Sequence, residues 1–421
     1  MSPPTKEQSI VYQVSMYSGL VAGKTGPDLE AQLYDDIKAA LKKDVLQIGE
    51  WSVAWGPVVV QHPSTSYAIN AMYVAESGDN PGTYVVGIAG TNPTSLFDWL
   101  VEDGLVAYQI PWVYARLSAP DAKIALGTGI GLAILQNAKP GSGIPGAGTT
   151  LLDFLKGLEP KQGKSVIVSG HSLGGALSPT LTLWLHDVRI LWDAFGHVKL
   201  STLPTAGPTA GNSAFAAYSN RHITATRFAN AIDVVPHAWQ ASDLAKIPTL
   251  YAPHIEPDHT IENLVAFAER ISAGGDYTQI LHDTGWFPFR VNTHIVHRYL
   301  PVFVNFVRQL AWQHTTAYLE FFGVVSTPLE RWAADFQTAA VAESPTLAAG
   351  LAAGAAAKQT TAPVAGKVTP IPPASDPGAD AVAARVMADL LRHATPEQQQ
   401  QIAIPVDPNA LVDARAAAGQ P

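Results

Sequence analysis

Residues 165–178 read SVIVSGHSLGGALS, with the hexapeptide GHSLGG at positions 170–175. The run Val166 to Ser169 predicts a strand, and the apolar segment after the hexapeptide predicts a helix. Ser172 lies between them in the pattern G-x-S-x-G, which holds a serine on a strained turn between a strand and a helix. The glycines let the two elements approach closely, because they carry no Cβ. The segment therefore predicts a serine presented above a sheet, at the amino terminus of a helix.

A serine in this position is suited to nucleophilic catalysis if the fold supplies the other groups. Its hydroxyl is a weak nucleophile at neutral pH, so it needs an imidazole base, a carboxylate that orients the base, and donors for the oxyanion. The alternative is an ordinary tight turn rich in glycine. The strand before the motif and the helix after it are the context that the catalytic motif requires. We therefore interpret Ser172 as a nucleophile.

The rest of the chain alternates between strand-like and helix-like patterns. Strands are predicted at residues 51–60, 66–76, 83–90, 164–170, 198–207 and 222–230, and helices at 28–45, 147–158, 173–190 and 211–219. Strands that alternate with helices indicate an α/β fold, in which a mostly parallel sheet carries helices on both faces.

The composition excludes several classes of partner and chemistry. The formal net charge is -9 and the isoelectric point is about 5.8, which argues against nucleic acid or an anionic membrane as a partner, because phosphate-rich surfaces attract lysine and arginine. The chain has no cysteine, which excludes disulfides, thiolate catalysis and zinc bound by cysteine. The compartment stays open, since a lack of cysteine does not mark the cytosol.

No export signal or membrane anchor is recognised in the sequence. Residues 1–23 lack the basic start and continuous apolar core of a secretory signal peptide. No uninterrupted apolar run approaches the roughly 20 residues that span a bilayer. We expect a soluble protein without a transmembrane segment, located in the cytoplasm or exported by a non-classical route.

The composition changes near residue 340. Residues 341–421 are rich in Ala, Pro, Gly and Thr, which predicts a linker or disordered tail, because such a segment buries too little apolar surface to offset its ordering entropy. One short amphipathic helix is predicted within it, at residues 378–403. Residues 1–340 are then the catalytic domain, and we expect the tail to make few buried contacts with it.

Five ordered segments between residues 67 and 310 resemble the class 3 lipases, a family with the α/β-hydrolase fold. They are VVGIAGTNPTSLFDWLVED at 85–103, VIVSGHSLGGALSP at 166–179, TAGPTAGNSAF at 205–215, RFANAIDVVPH at 227–237 and HIVHRYL at 294–300. The resemblance implies hydrolysis of acyl-lipid esters at a lipid–water interface, with no cofactor. Protein partners are not implied.

The acid and the base are predicted from chain order, and the resemblance implies the same residues. Asp233 follows a predicted strand beyond the nucleophile, in the order Ser, Asp, His that this fold uses; Asp243 and Asp258 remain alternatives. Of the histidines after Asp233, His294 lies in a loop that precedes an apolar helix, so we expect it to be the base. His297, nearer that helix, is the alternative.

The oxyanion donors are implied by the resemblance. It assigns one donor to Thr91, at the end of a strand, and the second to the backbone N–H of Leu173, where the helix dipole also favours negative charge. Asp98 is expected to hold the loop that carries Thr91; the alternative is that Asp98 and Asp103 act as acid or base carboxylates. We expect His171 to be a packing residue beside the oxyanion, because a chain neighbour of Ser172 cannot easily turn back onto it.

The segment GLVAYQIPWVYARLSAP at residues 104–120 carries more apolar surface than an exposed connection should. The resemblance places a lid here, and Tyr108, Ile110 and Trp112 are its predicted apolar face. The alternative is a helix buried in the core, which periodicity over so few residues does not exclude.

No metal site is predicted. The pair His294 and His297 has no glutamate between its members and no evident third ligand. The sequence therefore predicts a serine ester hydrolase that forms an acyl-enzyme on Ser172, most simply a lipase. Phospholipase A1 or a short-chain carboxylesterase would share the same catalytic residues. A binding module with a decayed hydrolase site is the alternative outside enzymes, and the filled triad argues against it.

Overall fold

A computed structural model describes residues 2–61, 68–90 and 105–360 of the 421-residue chain. Its strands are β1 Trp51–Gln61, β2 Ala68–Ser77, β3 Thr83–Ile88, β4 Gln109–Pro111, β5 Lys123–Ala125, β6 Ser165–His171, β7 Lys199–Thr205, β8 Thr224–Ala225, β9 Ala229–Asn230 and β10 Trp286–Phe287. Its α-helices are α1 Lys6–Met16, α2 Leu29–Lys43, α3 Val45–Ile48, α4 Leu126–Asn137, α5 Leu151–Gly157, α6 Leu173–Asp187, α7 Ser213–His222, α8 Ala241–Leu244, α9 His259–Ser272, α10 Val302–His314, α11 Thr316–Phe321 and α12 Thr327–Thr360.

A six-stranded sheet in the order β1-β2-β3-β6-β7-β8 organises these elements. The pairings β1–β2 and β2–β3 are antiparallel, whereas β3–β6, β6–β7 and β7–β8 are parallel. Ile88 pairs with Gly170, and His171 pairs with Thr205. The carboxyl ends of β3, β6 and β7 therefore meet at one edge of the sheet, which is where ligands bind in open α/β sheets.

Helices cover both faces of this sheet. Alternate residues of β3 point to opposite sides, as the pleat requires. Val86 packs in one buried cluster with Leu177 of α6, and Val85 packs in another with Tyr12 of α1 and Leu33 of α2. The predicted α/β fold with helices on both faces is confirmed.

Part of the stretch predicted to be a lid packs on the body of the protein. Trp112 is 1 % exposed, and its indole nitrogen donates to Asp187 Oδ2 at 2.7 Å. Ile110 lies in β4, which pairs with β5, and its side chain contacts Gly129 of α4. Tyr108 is exposed. Trp112 and Ile110 therefore pack on the core, which favours the core alternative for these two residues, and a lid over the cleft remains a prediction.

The packed part of the chain extends past the boundary predicted at residue 340. Helix α12 continues to Thr360, and Leu347 and Leu351 are 8 % and 6 % exposed. Both leucines belong to the buried cluster that contains Leu264 of α9 and Leu310 of α10. The alanine-rich composition gave no sign of this packing. Alanine nevertheless favours a helix, and the two leucines within that helix supply the buried apolar contacts. The helix predicted at 378–403 lies outside the described residues.

The described helices do not combine the length and apolar composition of a membrane span. None of those within the described ranges is both long enough and apolar enough to cross a bilayer.

Removal of residues 341–421 should destabilise the protein. A buried leucine contributes roughly 1.5–3 kcal/mol, and the truncation removes both Leu347 and Leu351. We expect the shortened chain to unfold several degrees below the full-length protein in differential scanning calorimetry. The control is a chain that ends after Thr360 and keeps both leucines. Equal melting temperatures for the two truncated chains would contradict the docking of α12.

Candidate active site

Ser172 occupies a sharp turn between β6 and α6. Its backbone has φ 60° and ψ -125°, and φ lies in the left-handed region that residues with a Cβ rarely adopt. Its N–H donates to Thr205 O at 3.1 Å. Strained backbone of this kind clusters at functional sites, and it places the serine between the carboxyl end of a strand and the first turn of a helix.

The three glycines of GHSLGG are explained by close contacts of the backbone. A Cβ on Gly170 would lie 2.5 Å from Gly174 O, and a Cβ on Gly174 would lie 2.5 Å from Ile88 O. A Cβ on Gly175 would lie 2.2 Å from Thr205 O. Any larger residue would therefore push α6 away from the strand ends that surround Ser172.

Asp233 lies in the turn after β9 and is fully buried. Its Oδ1 accepts the backbone N–H of Val235 at 3.1 Å. Its Oδ2 accepts the Tyr318 hydroxyl at 3.0 Å and lies 2.9 Å from His314 Nδ1. Because burying a polar group is costly unless it is hydrogen-bonded, these three bonds satisfy the buried carboxyl group of Asp233.

His314 is the last residue of α10, and its side chain is fully buried. An ionised carboxylate only accepts hydrogen bonds, so the bond to Asp233 places a proton on Nδ1 and leaves the lone pair on Nε2. Nε2 has no hydrogen-bond partner among the described residues. His314 and Ser172 line the same small cleft. This geometry is that of an oriented base beside a serine.

The structure places His314, and not the predicted His294, against Asp233. His294 is exposed in a 3-10 turn, Thr293–Ile295, where its N–H bonds Asn292 Oδ1. His297 Nε2 lies 3.3 Å from Arg308 Nη2, and neither histidine is among the hydrogen-bond partners given above for Asp233. The cleft that Ser172 lines is instead lined by the histidine at the far end of α10. His314 also follows Asp233 in the chain, so the order Ser, Asp, His is equally consistent with His314 as the base.

His171 joins the nucleophile turn to the base. It is 2 % exposed, and its Nε2 lies 2.7 Å from the backbone oxygen of His314. Its Nδ1 lies 3.1 Å from Thr205 Oγ1. Burial, aided by the nearby His314, lowers the pKa of His171 well below its usual range. A neutral ring that donates from Nε2 to the carbonyl and accepts at Nδ1 from threonine satisfies both contacts.

The remaining predicted residues have different outcomes. Leu173 is the first residue of α6, so its N–H has no partner within its own helix. Asp243 binds His282 and Lys246, and Asp258 caps α9, so neither alternative acid reaches the base. Thr91 and Asp98 lie outside the described residues. His314 and Tyr318 were not predicted from the sequence, because neither lies in a recognisable local motif.

Within the ranges that the structure describes, His, Asp and Glu side chains do not form a group of three or more that could hold an ion.

Comparison with known proteins identifies the family. A sequence model described as lipase (class 3) matches residues 116–242, which include Ser172 and Asp233. The structure of M37 lipase is 34% identical, covers 76% of this chain and 93% of that chain, and aligns with a TM-score of 0.67. The chain belongs to the class 3 lipase family. It is therefore a lipolytic hydrolase with the α/β-hydrolase fold.

Other solved structures resemble this class 3 lipase more distantly. Lipase II from Rhizopus niveus is 20% identical, with 56% of this chain and 74% of that chain covered and a TM-score of 0.38. A mono- and diacylglycerol lipase from Aspergillus oryzae is 18% identical, with 61% and 79% covered and a TM-score of 0.35. A comparison with curated protein sequences found no significant match.

The Tyr318 hydroxyl is expected to stabilise the fold of this lipase measurably. It donates to Asp233 and accepts the buried N–H of Asn230 at 2.9 Å. Tyr318→Phe leaves that N–H unpaired and should lower the free energy of unfolding by about 1–3 kcal/mol, measured by urea denaturation. Tyr12→Phe is the matched control, because Tyr12 is equally buried but its hydroxyl has no partner among the described residues. Equal effects of the two substitutions would contradict this role of Tyr318.

Proposed function

We propose that this lipase hydrolyses carboxylic esters of acyl lipids through an acyl-enzyme on Ser172. His314 acts as the general base and then the general acid, and Asp233 orients it. The observation that carries the proposal is the hydrogen bond between His314 Nδ1 and Asp233, with the free Nε2 in the cleft that Ser172 lines.

The first half of the reaction forms the acyl-enzyme. His314 Nε2 takes the proton of Ser172 Oγ as this oxygen attacks the ester carbonyl carbon, which gives a tetrahedral oxyanion. The imidazolium then donates the proton to the leaving alcohol as the carbon–oxygen bond breaks. No hydrogen bond joins Nε2 to Ser172 in the structure, and such bonds commonly tighten only when substrate is bound.

The second half regenerates the enzyme with water as the nucleophile. His314 Nε2 removes a proton from water, the resulting hydroxide attacks the acyl carbon, and the proton returns to Ser172 as the acid is released. His314 is positively charged in each transition state. Asp233 stabilises that charge, and so does the position of His314 at the carboxyl end of α10, where the helix dipole is negative.

The oxyanion is stabilised by donors at the edge of the sheet. The N–H of Leu173, at the amino end of α6, is one proposed donor, because the helix dipole there favours negative charge. Thr91 is proposed as the second on the family resemblance. Gly90, the last described residue before Thr91, lies against the turn, since a Cβ on it would be 3.2 Å from Ser172 Cβ.

The buried surroundings keep competing charges away from the base. The lowered pKa of His171 keeps its ring neutral, so it does not repel the imidazolium of His314. Burial, together with the negative charge of Asp233, raises the pKa of Tyr318 well above its usual range. Tyr318 therefore remains a donor to Asp233 throughout the reaction.

The substrate class follows from the family and from the lining of the cleft. Met16, Ile88, Trp332 and Phe336 line it beside Ser172 and His314, and such an apolar wall suits an acyl chain. Triglycerides, phospholipids and short-chain esters all present an acyl carbonyl to the same groups. Initial rates on an emulsified triglyceride, a phospholipid and a p-nitrophenyl ester compare these three substrates directly.

Single and double substitutions test the catalytic assignment. Ser172→Ala and His314→Ala should each lower kcat by roughly four to six orders of magnitude, and the double variant should be little worse, because the two residues act as a unit. His294→Ala is the control and should keep nearly full activity. The measurement is kcat on a soluble p-nitrophenyl ester, with circular dichroism to verify folding.

The opposite pattern would reject the assignment. If a folded His314→Ala variant kept more than a tenth of the wild-type kcat, or if His294→Ala were the inactive variant, His314 would not be the base.

A further inference from the structure

Two segments far apart in the chain form an apolar wall beside the nucleophile. The end of α1 and the 3-10 turn Tyr17–Val21 supply Met16, Ser18 and Gly19, and α12 supplies Trp332 and Phe336. All five line the cleft that holds Ser172 and His314. The wall is therefore in reach of any acyl group attached to Ser172.

Trp332 closes the space between these two segments. A Cβ placed on Gly19 would lie 3.6 Å from Trp332 Nε1, which is ordinary van der Waals contact. The indole also packs edge-on against His171, with ring centroids 5.9 Å apart, and lies 6.0 Å from the ring of Phe336. Phe336 in turn lies 5.7 Å from His314. The indole thus fills the gap between Gly19 and the catalytic histidine cluster.

A buried carboxylate fixes the two segments relative to each other. Asp44 Oδ2 accepts the Tyr17 hydroxyl at 2.6 Å, the Ser326 hydroxyl at 2.5 Å and the Gln13 amide at 3.1 Å. Tyr17 begins the 3-10 turn and Ser326 directly precedes α12. The wall therefore resists widening, since separating the segments would leave a buried charge without donors.

We propose that Trp332 is a specificity-determining residue that limits the length of the acyl chain. The acyl group on Ser172 points along the wall toward Gly19, and the indole ring occupies the space that a longer chain would need. The enzyme then favours short acyl groups over long ones at this wall. The inference rests on the proposed function, because it takes Ser172 as the acyl acceptor.

Trp332→Ala should shift the chain-length preference toward long acyl groups. Each additional buried methylene raises kcat/KM by roughly fourfold, so we expect the ratio of kcat/KM for p-nitrophenyl laurate to that for the butyrate to rise at least about tenfold. Trp312→Ala is the matched control, because Trp312 is also half-buried but packs against Phe289, and it does not line the cleft. Its ratio should equal that of the wild type.

A substitution at Gly19, in the 3-10 turn, tests the space between that turn and the Trp332 indole from the opposite side. Gly19→Val adds bulk that faces the indole, so it should lower the laurate-to-butyrate ratio severalfold. The Gly19→Val/Trp332→Ala double variant should move the ratio back toward the wild-type value. If Trp332→Ala fails to fold, Trp332→Leu should raise the ratio by a smaller factor.

The outcomes separate this inference from the proposed function. An unchanged ratio in folded Trp332 variants, while Ser172→Ala is inactive, would overturn the specificity role alone. Full activity of Ser172→Ala on the butyrate ester would overturn the proposed function itself. A ratio that rises equally in Trp312→Ala would show a general loosening of the fold and would also overturn the role of Trp332.

Discussion

The hydrogen bond between His314 Nδ1 and Asp233 Oδ2 is the interaction on which the site depends. It joins residues 81 positions apart, and both side chains are fully buried. Removing either partner would leave the other without its main hydrogen bond in a low-dielectric interior, which is strongly unfavourable. The same burial strengthens the attraction between Asp233 and a positively charged imidazole. One contact therefore fixes the end of α10 in the fold and, in the proposed mechanism, prepares His314 to accept a proton.

The surrounding structure holds that pair in place from several directions. Tyr318, one turn beyond the base, donates to Asp233. His171, next to the nucleophile, bonds the backbone oxygen of His314. Ser172 and His314, the proposed nucleophile and base, are thus positioned by shared contacts rather than independently. The glycines let α6 pack closely against the edge of the sheet. They also help to position Ser172, because any displacement of the helix would move Ser172 relative to His314.

How much the sequence predicts depends on whether the information is local. Ser172 and its turn were predicted because strand, glycines and helix are adjacent in the chain. His314 was not, because its role depends on where α10 ends in space, and His294 satisfied the same chain order. The apolar pattern around Trp112 is consistent with either a lid or the core. Trp112 is buried and bonds Asp187, 75 residues away in the chain, and a local pattern does not contain that contact. The position of α12 depends likewise on long-range packing. The roles of Thr91 and Asp98 remain predictions.

The most direct test of the central claim is covalent labelling of the nucleophile with a fluorophosphonate, followed by peptide mass spectrometry. We predict one adduct, on Ser172, at a rate that falls by orders of magnitude in His314→Ala and is unchanged in His294→Ala, because the proposed base is His314. Rapid labelling of Ser172 in a folded His314→Ala variant, or an adduct on another residue, would contradict the proposed roles of Ser172 and His314.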